Sequence, residues 1–403
     1  MTIERFKTIS VKNTTFQNNQ SITSVDCNFT PWTNNSMYNA FAGCSNLKSV
    51  SNLNENITSL FRTFDNCTSL VNAPIIPNSV TNMIRTFWNC TNLVNAPDIP
   101  NSVTNIFSTF QNCTNLVNAP IIPNSVITMS NAFYNCTNLV NAPIIPNSVI
   151  YMANTFYRCN LVNAPNIPNS VINMINTFER CFNLINAPDI PNNVTNMYGT
   201  FQNCTSLVNA PNISNGVITM HRTFQYCTNL INAPIIPNSV INMFSTFSDC
   251  TSLVNAPNIP NSVTDMRVTF INCTSLVNAP NIPNSVINMS GTFINCTNFT
   301  GNIYIQSENV TTAANCFNGT SLIKNVYIPF IYENGVNTIT YNSFINAGYT
   351  TDGSVNGVYL IDIENCASND WEYRTSVSNR TATLTKYIGT NTYVDVPSYV
   401  KGF

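Results

Sequence analysis

The sequence is short of charge. Only 8% of its 403 residues are Asp, Glu, Lys or Arg, against about a quarter in an ordinary globular chain. Fifteen Lys and Arg stand against 17 Asp and Glu, a formal net charge of −2. Neither a basic patch nor an acidic tail can be assembled from that inventory, which excludes nucleic-acid binding by phosphate neutralisation. There is one histidine, His221, so acid–base chemistry near neutral pH lacks its usual side chain. No apolar run approaches the roughly 18 residues that cross a bilayer, and no membrane insertion is expected. The opening MTIERFKTISVKNTTFQNNQ lacks the apolar stretch of a secretory signal. The expectation is synthesis in the cytoplasm without a recognisable signal peptide, or a signal already removed. No GxSxG, HExxH, P-loop or GxGxxG occurs, and no cysteine spacing suits zinc. The expected protein is not an enzyme: no catalytic residue, no metal and no cofactor.

What is present is a repeat. Asn is the commonest residue, 73 of 403, and the apolar fraction is an ordinary 44%. The chain can therefore build a core beneath a neutral, amide-rich surface. The unit T-F-x-N-C-T-x-L-V-N-A-P-x-I-P-N-S-V-x-x-M recurs with its phenylalanine at Phe41, Phe64, Phe87, Phe110, Phe133, Phe156, Phe178, Phe201, Phe224, Phe247, Phe270 and Phe293. Each step is 23 residues except the 22 between Phe156 and Phe178, where TFYRCNLVNAP has lost one. Weaker copies surround Phe317 and Phe344. A unit this small cannot bury its own apolar face, so a fixed period implies a solenoid of stacked repeats.

The columns follow from their chemistry. Met83, Phe87 and Cys90 stand at i, i+4 and i+7, the spacing of one helix face, which predicts a short helical turn stacked on the next repeat. The Leu column (Leu70, Leu93, Leu116) opens a short extended segment, L-V-N-A. The prolines of A-P-x-I-P then stop it, since each removes a ladder donor. Neighbouring strands are expected to stack parallel. Ile76 and Val80 close the core on the far side.

Through FxNCTxLxxxxxIPNSVxxM the chain resembles the BspA-like leucine-rich repeat family, whose unit runs as an IP-x-S-V segment followed by A-F-x-x-C-x-x-L. The resemblance covers about residues 36–300. It departs where Met replaces the usual Ile-Gly after the valine and where N-A-P places a proline before I-P. The V-T-N-M-x-x-T-F spacing is similar to related Met-Phe surface-protein repeats. The resemblance implies an α/β leucine-rich-repeat solenoid of about twelve repeats, and bacterial surface adhesins or phage-borne fibre and receptor-binding proteins as functional relatives.

Residues 1–35, with Trp32, are expected to form an N-terminal cap, 36–300 the solenoid, and 301–365 degenerate repeats with a C-terminal cap. Residues 366–403 contain TATLTKYIGTNTYVDVP, which alternates like a strand pair around Gly389, Thr390 and Asn391; they read as a small β appendage.

Of the 15 cysteines, twelve from Cys44 to Cys296 share one column, which reads as a ladder of reduced, buried thiols. The seven N-C-T sequons between Asn66 and Asn295 read as structural side chains satisfying backbone groups at turns. His221, a lone histidine, reads as a surface residue.

The repeats differ from one another in few columns. After Met, and just after Phe, the variable residues include Arg85, Trp88, Phe107, Tyr134, Tyr157, Tyr198, His221, Arg222, Phe244 and Arg267. With Met, Phe and Cys inward these face outward, and exposed aromatics with arginine are the composition of a recognition surface. Glu179, Gln202 and Gln225 stand in the same columns. A second variable column lies between the prolines: Ile75, Asp98, Ile121, Ile144, Asn166, Asp189, Asn212 and Ile235. The leading expectation is a phage tail or virion appendage that binds a cell-surface glycan or protein, displayed on a virion or extracellular surface. An exported bacterial adhesin is one alternative. The other is a structural spacer that packs on itself or on virion or tail proteins through the isoleucine column.

Overall fold

A computed structural model of the chain describes residues 16–27, 35–300, 302–320, 325–328, 332–333, 336–337, 339–349, 359–362, 371–376 and 381–387. The chain divides into two compact units, Met1–Leu230 and Ile231–Phe403.

In the first unit each repeat is one rung, and rungs are joined by parallel β-pairing one residue long at two places. Asn72 pairs with Asn95 and Asn95 with Asn118; further along the repeat, Asn82 pairs with Asn105 and Asn105 with Thr128. Pairing lengthens to three residues between β1 (Ser24–Asp26) and β2 (Ser49–Ser51). The strand expected at L-V-N-A is cut to a single residue, because the prolines that follow carry no N–H to extend the ladder.

The segment from Met to Cys is not the helical turn its spacing predicts. Between Met83 and Cys90 the N–H groups alternate in direction. Thr86, Trp88 and Cys90 donate within the rung, to the carbonyls of Met83 (3.1 Å), Arg85 (3.2 Å) and Phe87 (3.1 Å). Arg85, Phe87 and Asn89 donate to the next rung, to Phe107 (3.0 Å), Thr109 (2.9 Å) and Gln111 (2.7 Å). An α-helix would direct all six to its own carbonyls four residues back and leave nothing to hold the rungs together. Left-handed residues two before and two after each Phe make the alternation possible, here Arg85 (φ 54°) and Asn89 (φ 61°). Met83, Phe87 and Cys90 still share the inward face and are fully buried.

Side chains complete the cross-rung bonding. Thr86 Oγ1 donates to the carbonyl of Leu60 (3.0 Å), Cys90 Sγ to that of Phe64 (3.1 Å), and Ser125 Oγ to that of Val103 (2.6 Å). The pattern recurs one rung on, where Thr109 Oγ1 reaches Met83 (2.8 Å) and Cys113 Sγ reaches Phe87 (3.1 Å). The fixed Thr, Cys and Ser of the consensus are therefore hydrogen-bond donors to the preceding rung's backbone. The phenylalanines stack along the core: Phe64–Phe87 centroids lie 5.5 Å apart, Phe87–Phe110 5.7 Å and Phe178–Phe201 5.6 Å, with rings within 14° of parallel. Phe16, inside the span expected to be a cap, stacks on Phe41 at 5.4 Å. Ile76 and Val80 are buried as expected.

In the second unit the stack runs Phe247, Phe270, Phe293 at 5.6 and 5.5 Å, then Phe317 at 5.9 Å and Phe344 at 6.1 Å. Helix α1 (Ile339–Asn346) carries Phe344, and the Tyr349 hydroxyl accepts the Phe317 N–H at 2.8 Å. Strands β3 (Ile303–Tyr304), β4 (Asn325–Ile328) and β7 (Tyr359–Asp362) form a parallel sheet, while β5 (Tyr332–Glu333) and β6 (Val336–Asn337) make a two-residue antiparallel pair. Strand β9 (Thr381–Tyr387) pairs antiparallel with the upstream β8 (Trp371–Ser376). The turn expected at Gly389, Thr390 and Asn391, and Trp32 of the expected cap, lie outside the described residues.

All fourteen described cysteines are buried free thiols. Burial pushes the Cys181 thiol up to about 12 and Cys204 well above the ordinary range. Two outcomes follow. Phe201→Ala removes a fully buried ring and should cost about 3–5 kcal/mol in denaturant unfolding; a loss under about 1 kcal/mol would take the Phe column out of the core. Because the folded thiols hold their protons more tightly than unfolded ones, their contribution is complete below about pH 8.5 and is lost as pH rises towards the folded values. The unfolding midpoint should be level to about pH 8 and fall above it; a midpoint unchanged to pH 10.5 would contradict the buried-thiol ladder.

Candidate recognition surface

The backbone that holds the rungs together also decides which side chains face out. In the first unit Arg85, Trp88, Phe107, Tyr134, Tyr157, Tyr198, His221 and Arg222 are all half-buried. In the second unit Phe244 is half-buried and Arg267 exposed. All ten stand on the outward columns, but the rings of Tyr134, Tyr157, Tyr198 and Phe244 are not free platforms. Tyr134 and Tyr157 stack on each other at 4.3 Å and 3°, and the Arg180 guanidinium lies 5.8 Å from the Tyr157 ring centre. Tyr198 meets His221 edge-on at 4.7 Å, and its hydroxyl accepts from Arg222 Nη1 at 3.2 Å. Arg267 covers Phe244 at 4.9 Å while gripping Asp265 at 2.7 Å. Rings stacked rung upon rung turn their faces to their neighbours, so solvent meets ring edges, hydroxyls and guanidinium groups.

The positive charge of the repeats is confined to these columns and to the neighbouring Asn column of N-C-T. Between residues 49 and 323 the only cations are Arg62, Arg85, Arg158, Arg180, Arg222 and Arg267. Five of the six, all but Arg267, occupy left-handed positions, with φ between 53° and 61°. At the same positions other repeats carry Asn89, Asn112, Asn131, Asn154, Asn203 and Gly199, the residues that tolerate this conformation best, and also Ser108, Tyr226, Ser245, Asp249 and Val268. An arginine there costs about 1 kcal/mol of backbone strain. Arg62 is neutralised by Asp65 at 2.6 Å, and Arg180 loosely by Glu179 at 3.8 Å. Burial lifts the Glu179 carboxyl above the ordinary carboxylate range, outweighing the pull of Arg180 and Arg222. Burial, then the Glu179 charge, likewise raises the Tyr157 hydroxyl.

Arg158 and Arg180 escape a reading of the variable columns, because their position is the Asn of N-C-T. The signal that finds them is the replacement of that fixed Asn by Arg. The sequon asparagines otherwise supply left-handed residues and side-chain ladders, as in Asn89 Nδ2 to Asn66 Oδ1 (2.5 Å) and Asn135 Nδ2 to Asn112 Oδ1 (3.0 Å).

The column between the prolines is a separate face. Ile75, Ile121 and Ile144 of the first unit are 91, 83 and 89% exposed. Ile121 and Ile144, with the neighbouring prolines, line a groove of about 570 Å³. Among the described residues no group of three or more His, Cys, Asp or Glu could hold a metal ion, and no helix is long and apolar enough to cross a membrane.

No functionally curated protein is similar in sequence. Among solved structures, a leucine-rich repeat protein from Bacteroides ovatus is 20% identical with a TM-score of 0.59, covering 88% of each chain. A leucine rich cell surface protein from Faecalibacterium prausnitzii is 20% identical with a TM-score of 0.47, over 79% of this chain and 82% of its own. The Bacteroides likeness concerns the fold alone. The profile of the BspA type leucine rich repeat region matches residues 2–117, 85–208 and 220–350. With a matching profile over most of its length and its Leu, Cys and Phe columns buried rung after rung, the chain belongs to the BspA type leucine-rich repeat family.

Proposed function

We propose that this chain is a non-enzymatic recognition protein that binds a glycan or protein of a cell surface through its outward arginine and tyrosine columns. One observation carries the reading. Arginine occupies left-handed positions where Asn or Gly would relieve the backbone, five times among six cations. In a chain with so little charge, five of the six cations of the repeats stand on these two recurring positions, which concentrates the charge available to a ligand. Repetition of the rung supplies many closely spaced contacts and hence avidity. About twelve repeats between terminal caps provide the scaffold in this reading, and the family resemblance favours display on an outer surface. The narrower placement, on a phage tail or virion, rests on that resemblance alone.

The exposed isoleucines favour a second reading, a spacer that packs against copies of itself, since apolar surface of this kind invites burial. Two variants separate the readings. Trp88→Ser, Tyr134→Ser and Tyr157→Ser together alter the recognition columns, while Ile121→Ser with Ile144→Ser alters the proline face. Labelled protein should bind a subset of a bacterial-cell panel saturably, lose that binding in the first variant and keep it in the second. An oligomer that dissociates in the isoleucine variant, with no cell bound by the parent, would replace recognition by the spacer.

A further inference from the structure

A costly departure from the repeat lies at two consecutive rungs of the first unit. Arg158 and Arg180 stand in the same column, two residues after Phe156 and Phe178, whose rings are 5.7 Å apart. Both are left-handed, at φ 55° and 61°. Two cations one rung apart repel, as like charges do across paired strands. A third cost is specific to Arg158. In this column each Asn Oδ1 can accept from the amide one rung on, as Asn112 accepts from Asn135 at 3.0 Å. At the next rung the amide is replaced by Arg158, and Asn135 Oδ1 is left buried without a partner. A buried acceptor left unpaired is destabilising. Backbone strain, repulsion and an orphaned acceptor thus meet at one pair of residues, and asparagine would remove all three.

The neighbourhood is short of compensating charge. Between residues 99 and 230 the cations are Arg158, Arg180 and Arg222, and the acids are Glu179 and Asp189 alone. Asp189 stands in the exposed column between the prolines, bonded to Asn212. Only Glu179 stands in the columns beside the arginines, 3.8 Å from Arg180. Arg158 has no ion pair among the described residues. Around them are amides and hydroxyls: Gln202 bonded to Gln225 at 3.0 Å, Asn203 in the same column, and the stacked Tyr134 and Tyr157.

Resting on the recognition reading above, we propose that Arg158 and Arg180 form an anion-binding subsite for an acidic polysaccharide, with the acid group of one sugar held between the two guanidinium groups. Planar guanidinium forks match carboxylate and sulfate groups in charge and geometry. A polysaccharide fits better than an acidic peptide because the surroundings offer hydrogen-bonding amides and phenol groups for sugar hydroxyls.

The test uses the full chain and its Arg158→Asn, Arg180→Asn double variant. Immobilised polygalacturonate, dextran sulfate, unmodified dextran and poly-glutamate serve as probes. The parent should bind one or both acidic polysaccharides and not dextran, with affinity that falls as salt rises; which of the two it prefers identifies the acid group as carboxylate or sulfate. The double variant should bind at least about tenfold more weakly while its thermal midpoint stays level or rises, so that misfolding cannot account for the loss. Absence of binding to both acidic polysaccharides, equal binding by the variant, or tighter binding to poly-glutamate would each overturn the subsite. If it is overturned while the Trp88, Tyr134, Tyr157 variant still loses its cells, recognition stands with a non-acidic ligand. If that variant also keeps its cells, the recognition reading falls as well.

Discussion

The constraint on which everything else depends is the satisfaction of backbone polar groups in a repeat that forms almost no regular secondary structure. A 23-residue rung with prolines in its return leg cannot bond its own backbone as a helix, nor extend a strand beyond one residue. Buried N–H and C=O groups must nonetheless find partners. The repeat meets this by sending alternate N–H groups to the next rung and by placing Thr, Cys and Ser side chains on carbonyls of the preceding one. The stacked phenylalanines supply burial; the cross-rung bonds fix the register at which they stack.

That solution dictates the surface. Alternating bond directions need left-handed residues at two places in every rung, and the Asn and Arg residues among them are half-buried or exposed. Asn and Gly meet the backbone requirement at least cost, which explains why an amide-rich chain can fold so regularly. Each arginine at such a place is a local exception, and Arg158 also breaks an amide ladder. The rings beside the arginines lie against the rungs above and below, so the surface presents charge and hydrogen-bonding groups more than aromatic faces. A repeat built from neutral amides thereby offers a handful of under-neutralised cations.

Much of the interior was legible in the sequence. The Phe, Cys, Leu, Val and Met columns are apolar at fixed spacing, and periodicity alone places them inside. The helical turn was misread because i, i+4, i+7 is also the inward face of a segment that alternates right- and left-handed residues. The fixed Asn of N-C-T is the sign that separates the two, since a helix interior has no use for a left-handed residue. The buried Thr before most of the Phe residues was missed as a donor, because its partner belongs to a different rung and spacing within one repeat cannot show it. On the surface, variability located Tyr134 and Tyr198 but not the covering of their rings. It passed over Arg158 and Arg180 because their column reads as an invariant asparagine.

The most direct test of the cross-rung account is the unfolding free energy of Thr200→Val. Thr200 is fully buried, and its hydroxyl donates to the carbonyl of Met174 at 2.9 Å, one rung back. Valine keeps the shape and removes only the donor, so a loss of about 1 kcal/mol is the predicted result. A variant as stable as the parent, or more stable, would mean that burial alone holds the rungs and that the side-chain bonds between them are incidental.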